Sequence, residues 1–278
     1  MSPDRIHRTS TAPLPEWLHR IIPLTRFLEM LETGKAAAVS PAIWDDPYEA
    51  APLKIVLTHP LFRDVDGAVK IGMKFIGQPV RAGIWQQSGS ALRLIYCQSW
   101  TATPETDTMW RAYSPHAEGV RIRAKTLDLA CEFASAWPED SCFLGEVAYV
   151  PQTDLDQELA DPKACYRLQR VYSPDDKPWG HRWLKPLTRK RIEFAPEHEF
   201  RLILFKNRGS PTPPDWPKLA FFEFPSHSLI ESVMLDPRTK NADQIERDLR
   251  SRGFSGKIEQ SQLYRSPQYD VWNSNHPR

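Results

Sequence analysis

The sequence predicts an α+β fold: mixed, mainly antiparallel sheets with short helices packed on them, in a single compact domain. Three observations predict it. About nine segments read as strands by alternation or as short apolar runs between turn signals. They interleave irregularly with short helices, unlike the regular strand–helix repeat of a parallel sheet. The connections are stiff, with 26 Pro against 12 Gly in 278 residues, where average usage gives about 14 and about 19. A chain that is 41% hydrophobic and 26% charged has the apolar content of a folded domain.

In order along the chain, residues 1–17 read as a flexible arm, with Pro3, Pro13 and Pro15 and no periodicity. The domain runs over 18–265 and a tail over 266–278. Residues 18–22 form a strand ended by Pro23. A helix follows, with Thr25 as N-cap, Leu24 as staple, an apolar face of Phe27, Leu28, Met30 and Leu31, and Gly34 as its stop. Residues 36–40 are extended. An apolar pattern over 60–76 suits a helix, 92–100 a buried strand and 109–113 a short helix or turn. Residues 120–124 alternate as a half-buried strand, 127–137 are helical behind Thr126, and 145–150 form a strand stopped by Pro151. Short helices are expected at 155–159 and 164–171. Strands at 200–205 and 219–224 flank a Pro-rich loop at 210–214 that reads as a hairpin insertion. A strand at 230–235, a helix with an Asn241/Gln244 capping box and Gly253 as stop, and a strand at 258–263 close the domain.

Several function classes drop out at once. Net charge is +1, so no global field draws the chain to nucleic acid or anionic lipid. No apolar run approaches the roughly 20 residues of a membrane span, and residues 1–19 lack an apolar signal core, so the expected location is the cytoplasm with no membrane partner. Cys97, Cys131, Cys142 and Cys165 make no paired or zinc-type spacing; they read as reduced thiols, and no structural metal is expected. The phosphate-loop, dinucleotide-fold and serine-hydrolase glycine motifs are all missing.

Three polar constellations are left. The first is the run 189–201, with Glu197, Glu199 and Arg201. Two carboxylates at period-two spacing on a strand share one face. Their repulsion raises one pKa, as a general base needs, unless neighbouring cations hold both ionised. Between residues 181 and 208 eight Lys and Arg face three acids. Arg182, Lys185, Arg189, Lys190 and Arg191 are therefore candidate contacts for a nucleic-acid or other phosphate-bearing partner. The bland alternative is a strand edge with solvated glutamates paired to Arg201 and Arg191. The second constellation is Asp45, Asp46 and Glu49 around Pro47, either a turn with a helix cap or part of a metal or cationic-substrate site with the glutamates. The third joins Ser99 and Thr101, on one side of a strand end, to Trp110, Tyr113 and His116. At three-residue spacing these last form an aromatic stripe, either core or a stacking wall for a base or nicotinamide ring.

Taken in order, the segments at 18–31, 44–49, 97–99, 109–113, His116 with 119–120, 147–149, 197–201 and 235–264 resemble domain-of-unknown-function family 2971 over residues 18–264. Gln98 stands where that family usually has an aromatic, and Asp45 where it has Asn. The resemblance implies architecture and carries no catalytic residues. The chain is more loosely similar to ADP-ribosyltransferases of the Arg–Ser–Glu type, through Arg20, Ser99-Trp100-Thr101 and Glu197-His198-Glu199. That similarity implies NAD as substrate and catalytic Glu199, Glu197 and Ser99. It also implies cofactor contacts from Arg20 and Thr101, with Trp110, Tyr113 and His116 as the stacking side. Arg20 would fork to the pyrophosphate, and Glu199 would stabilise the cation left when nicotinamide departs. Such a protein would be a toxin or phage-defence effector acting on a macromolecule. Two alternatives stand beside it: a nucleotide or nucleic-acid binding module without turnover, and a metal-dependent phosphodiesterase using Asp46, Glu49, Glu197 and Glu199.

Overall fold

The computed structural model describes residues 6–9, 11–58, 94–160, 184–206 and 217–266. Twelve strands lie among them. Ten form one mixed sheet, ordered β1 (Ile6–Arg8), β6 (Ser141–Glu146), β9 (Glu199–Phe205), β4 (Ile95–Thr101), β2 (Trp17–Pro23), β5 (Gly119–Lys125), β11 (Ser232–Leu235) and β12 (Lys257–Gln260). β3 (Lys35–Val39) and β10 (Leu219–Glu223) branch from β4. Only β1–β6 and β11–β12 pair in parallel within this sheet. β7 (Ala148–Val150) and β8 (Arg189–Arg191) make a separate two-stranded parallel ribbon. The expected α+β class, mainly antiparallel with short helices packed on the sheet in one domain, is what the chain adopts. Among the described residues no helix is long and apolar enough to cross a membrane.

Alternation along two central strands decides which face does what. On β9, Phe200, Leu202 and Leu204 enter the larger core with Tyr96 and Trp100 of β4. That core is closed by α1 (Leu24–Thr33), α4 (Thr126–Ser135), α7 (Ser226–Leu229) and α8 (Ala242–Ser251), through Phe27, Phe133, Leu229 and Leu249. The odd-numbered residues face the other way. Ile203 and Phe205 join Ile95 and Cys97 in a smaller core with Leu53 of α2 (Ala51–Thr58) and Leu184 and Leu187 of α6 (Leu184–Leu187). Continuing the same period toward the strand ends puts Glu199, Arg201, Ser99 and Thr101 on that second face. The polar site is the wet end of the smaller core.

β4 is also where the sheet forks. Along one edge it pairs with β9 over its whole length. Along the other, Thr101 pairs with His19 of β2 and Cys97 with Val39 of β3. Ser99 lies between these two bridges. A gap bounded by β2 and β4 opens at this point.

Several local expectations need correction. Helix α1 starts at Leu24 without a Thr25 cap: Pro23 precedes it, and the Leu24 N–H donates to the Glu118 carbonyl at 2.9 Å, so the residue just before β5 satisfies the helix end. Gly34 stops it in the left-handed region, φ 64°. Asn241 makes no side-chain cap to α8; Gln244 bonds Asp248 at 2.8 Å instead. Part of the segment read as an arm, Ile6–Arg8, is the edge strand β1. The single strand expected at 145–150 is two. Val147 N bonds the Glu199 carbonyl at 2.9 Å and Ala148 N the Thr188 carbonyl at 2.8 Å, so the chain leaves β9 for β8. β9 and β10 are no hairpin, because β9 pairs with β4 and β6 and β10 with β3. The helices expected at 60–76 and 164–171, the loop at 210–214 and Cys165 lie outside the described residues.

Candidate functional site

At the fork a cavity of about 160 Å³ is lined by His19, Arg20 and Ile21 of β2, Ser99, Trp100 and Thr101 of β4, Met109 and Tyr113 of α3 (Asp107–Tyr113), and Glu197 and Glu199. It is smaller than the roughly 300–1,000 Å³ of pockets that enclose whole drug-sized ligands, a volume for one end of a dinucleotide. Arg20, Ser99, Thr101, Tyr113 and both glutamates meet here. Trp110 and His116 do not. Trp110 is fully buried beside Ile21 and Met109, its indole N–H donating to Glu105 at 2.8 Å. α3 ends at Tyr113, so the three-residue spacing no longer applies at His116, which is exposed. Of the aromatic stripe only Tyr113 lines the cavity.

Behind the cavity the carboxylates enter a buried ion network. Arg201, 1% exposed, grips Glu199 with Nε to Oε1 at 2.7 Å and Nη2 to Oε2 at 2.9 Å, and Nη2 also reaches Glu49 at 2.8 Å. Its Nη1 donates to the Leu187 carbonyl at 2.7 Å, and its plane lies 4.2 Å from the Trp44 ring centroid. Lys190 stands among three carboxylates, 2.7 Å from Glu197, 3.2 Å from Glu49 and 3.4 Å from Glu199. Ser99 stands beside Glu199 and adds to what holds its carboxyl down, and the Tyr113 hydroxyl donates to Glu197 at 2.9 Å. Thr101 donates its hydroxyl to the Glu197 carbonyl, so that group holds the loop and is not free for a ligand. Two cations against three carboxylates leave the cluster one negative charge in excess.

Two backbone features hold the glutamates. Glu197 ends a 3-10 turn, Ile192–Glu197, and His198 takes left-handed φ 42° before β9 begins. The two glutamates therefore reach Lys190 from different elements, not by strand alternation. Ala50, directly after Glu49, is also left-handed at φ 53°. Non-glycine residues in this region carry strain that surrounding contacts must offset.

Burial alone would raise the Glu199 carboxyl, but Arg201 and Lys190 outweigh it and hold the group down to about 2. Glu199 is thus a fixed anion, unsuited to be a base. Lys190 and Arg201, despite burial, are pushed above their ordinary values by the same glutamates. Burial pushes the Tyr113 hydroxyl up, and Glu197 beside it adds to the shift.

Arg20 differs from all of these. Burial, with Arg26 nearby, draws its guanidinium down to about 10, and no carboxylate acts on it. Among the described residues it has no hydrogen bond or ion pair. A charged group lining a cavity without a counter-ion is a standing place for an anion.

No family model matches the chain, and no curated protein matches it. Membership of family 2971, expected from motif order, thus has no matching model behind it. The solved structures it resembles include Thermus sp. 2.9 DarT in complex with NAD+, at a TM-score of 0.36 and 9% identity over 90% of this chain and 98% of that one. The same protein in complex with ADP-ribosylated ssDNA gives 0.36 and 10% over 91% and 97%. A likeness of that size establishes neither family nor activity.

The remaining candidates sit outside the cavity. Asp46 accepts from Tyr48 N at 3.0 Å and pairs with Arg191 at 3.3 Å, shaping the loop that delivers Glu49. The basic run is no free cationic face. Lys190 is buried among glutamates, Arg189 and Lys185 pair with Glu158, and Arg191 pairs with Asp46; Arg182 lies outside the described residues. Among the described residues no group of three or more His, Cys, Asp and Glu is arranged for a metal, and the carboxylates already converge on an ammonium.

Sequence reasoning missed His19 as a lining residue. It is 5% exposed, and burial together with Arg121 and Arg123 draws its imidazole down to about 3. Between pH 3 and the ordinary imidazole value of 6.5 the unfolded chain takes a proton that the folded chain refuses, so stability falls as pH drops through this window. Glu199 acts lower down. Its depressed pKa stabilises the fold above the unfolded value of 4.5, and that contribution is lost as pH falls toward 2. Urea melts across pH 3–7 should therefore show a His19→Phe variant with a flatter slope from pH 6.5 down to about 3, the slope it keeps below pH 4.5 being that of carboxylates such as Glu199. Equal slopes above pH 4.5 would remove His19 as the titrating group.

Proposed function

We propose that the chain is an ADP-ribosyltransferase-like enzyme that cleaves NAD and transfers ADP-ribose to a macromolecular acceptor. One observation carries this reading: Arg20, which has no partner among the described residues, the Ser99 hydroxyl and an ionised Glu199 line one cavity at a fork in the sheet. Arg20 holds the pyrophosphate. The cavity takes the nicotinamide riboside end against Tyr113. When the bond between the ribosyl carbon and the nicotinamide nitrogen breaks, the electron pair leaves with neutral nicotinamide and positive charge grows on the sugar. The excess negative charge of the cluster, centred on Glu199, stabilises that charge. Ser99 keeps Glu199 oriented. Glu197, held by Lys190 and Tyr113, accepts the proton of the incoming nucleophile.

Arg20→Ala tests the binding half without disturbing the fold, since no described group depends on it. The expected result is an unchanged melting temperature with NAD affinity down about 10–100-fold, the loss of a charged hydrogen-bond pair. Calorimetric titration giving wild-type affinity would remove Arg20 from the site. Labelled NAD incubated with candidate macromolecules identifies the acceptor, and with it the toxin or phage-defence setting. A second reading has one observation in its favour: Arg201 and Lys190 already occupy the Glu199 oxygens. A site saturated in that way binds the nucleotide and does not turn it over. Nicotinamide release from NAD by the wild type decides between the two.

A further inference from the structure

The middle rung of the β7–β8 ribbon puts Tyr149 in register with Lys190. Register partners on neighbouring strands project to the same face. Both side chains of this rung reach the end of β9, and they reach different parts of it. Lys190 meets carboxylates, 2.7 Å from Glu197 and 3.4 Å from Glu199. Tyr149 meets the main chain: the Glu199 N–H donates to its hydroxyl oxygen at 2.8 Å.

The bond falls where the ladder gives out. β6 pairs with β9 as far as Glu146 opposite Phe200, and then the chain leaves. Past that rung the Glu199 carbonyl accepts from Val147 N at 2.9 Å, and the Glu199 N–H is taken by Tyr149. That N–H belongs to the His198–Glu199 peptide, and His198 stands in the left-handed region at φ 42°. A strained residue keeps its conformation only while its surroundings oppose relaxation, and the Tyr149 bond lies on the peptide that would turn. Burial pushes the Tyr149 hydroxyl up to about 12, so it stays an uncharged acceptor. Tyr149 is not among the residues lining the cavity.

We propose that Tyr149 is a positioning residue: its hydroxyl fixes the Glu199 backbone while Lys190, from the same rung, fixes the carboxylate, so that the ribbon aims the anion at the bond that breaks. The inference rests on the NAD reading and adds to it a residue that acts only through Glu199.

A double-mutant cycle on nicotinamide release from NAD tests it. Tyr149→Phe removes a single oxygen and should lower kcat about tenfold, as a misplaced reacting group does. KM should stay within about twofold, because the residue does not touch the ligand. In a Glu199→Gln background the same substitution should change the rate by less than about twofold, since the anion it positions is gone. Equal losses in both backgrounds, or no loss in either, overturn the proposal and leave the NAD reading intact. A raised KM with kcat unchanged does the same. The Tyr149→Phe protein should melt within about 5 °C of wild type, the scale of one hydrogen bond in a chain of this size. Loss of its cooperative melt would make the hydroxyl structural and end the proposal. A wild type that neither binds nor cleaves NAD overturns the inference and the reading beneath it together.

Discussion

Arg201→Ala should cost about 3–5 kcal/mol of folding stability, the range for breaking a buried ion network by removing one partner. Its guanidinium is the main counter-charge for Glu199 and Glu49 and covers the Trp44 ring. Truncation leaves two buried carboxylates with Lys190 alone. Urea denaturation at pH 7 measures the loss directly, and a value under about 1 kcal/mol would mean that water enters and solvates the glutamates. The double variant Arg201→Met with Glu199→Gln should recover part of the loss, because it removes one of the stranded charges as well.

Glu199→Gln should lower NAD cleavage by about 10²–10³-fold, the size of effect that follows loss of one preorganised electrostatic group. The fold should survive better than in Arg201→Ala. Gln keeps an oxygen for Arg201 and Ser99, and the cluster goes from one excess negative charge to neutral. Glu197→Gln makes the control. On the proposed roles it leaves cleavage of NAD by water in place and suppresses transfer to an acceptor. Nicotinamide release and acceptor labelling, followed in the same reaction, separate the two. If Glu199→Gln releases nicotinamide at the wild-type rate, the fixed anion plays no part in bond breaking.

Much of this arrangement was legible because strands carry a period of two. The run from Phe200 to Phe205 reads as a buried strand, and its alternation alone puts Glu199 and Arg201 on the face of Ile203 and Phe205. The same period on β4 aligns Ser99 with Thr101. What escaped depends on pairing between distant segments. Arg189-Lys190-Arg191 reads as a basic patch, and nothing local says that Lys190 turns inward to three carboxylates drawn from two other segments. The fork at β4, one bridge to β2 and another to β3, is a long-range event with no local signature. Trp110 and His116 failed for a simpler reason. A three-residue spacing lines up only while the helix lasts, and Ser114 ends it. The His19 Nδ1, buried without a hydrogen-bond partner among the described residues, was out of reach too, since solvation of a single atom emerges only once every neighbour is placed.

The left-handed turn at His198 divides labour between the two glutamates. Glu199 belongs to a central strand locked by neighbours on both edges, while Glu197 hangs from six residues of surface turn whose Ile192 is half exposed. On the proposed function, changes within residues 192–197 should therefore alter transfer to an acceptor more than release of nicotinamide.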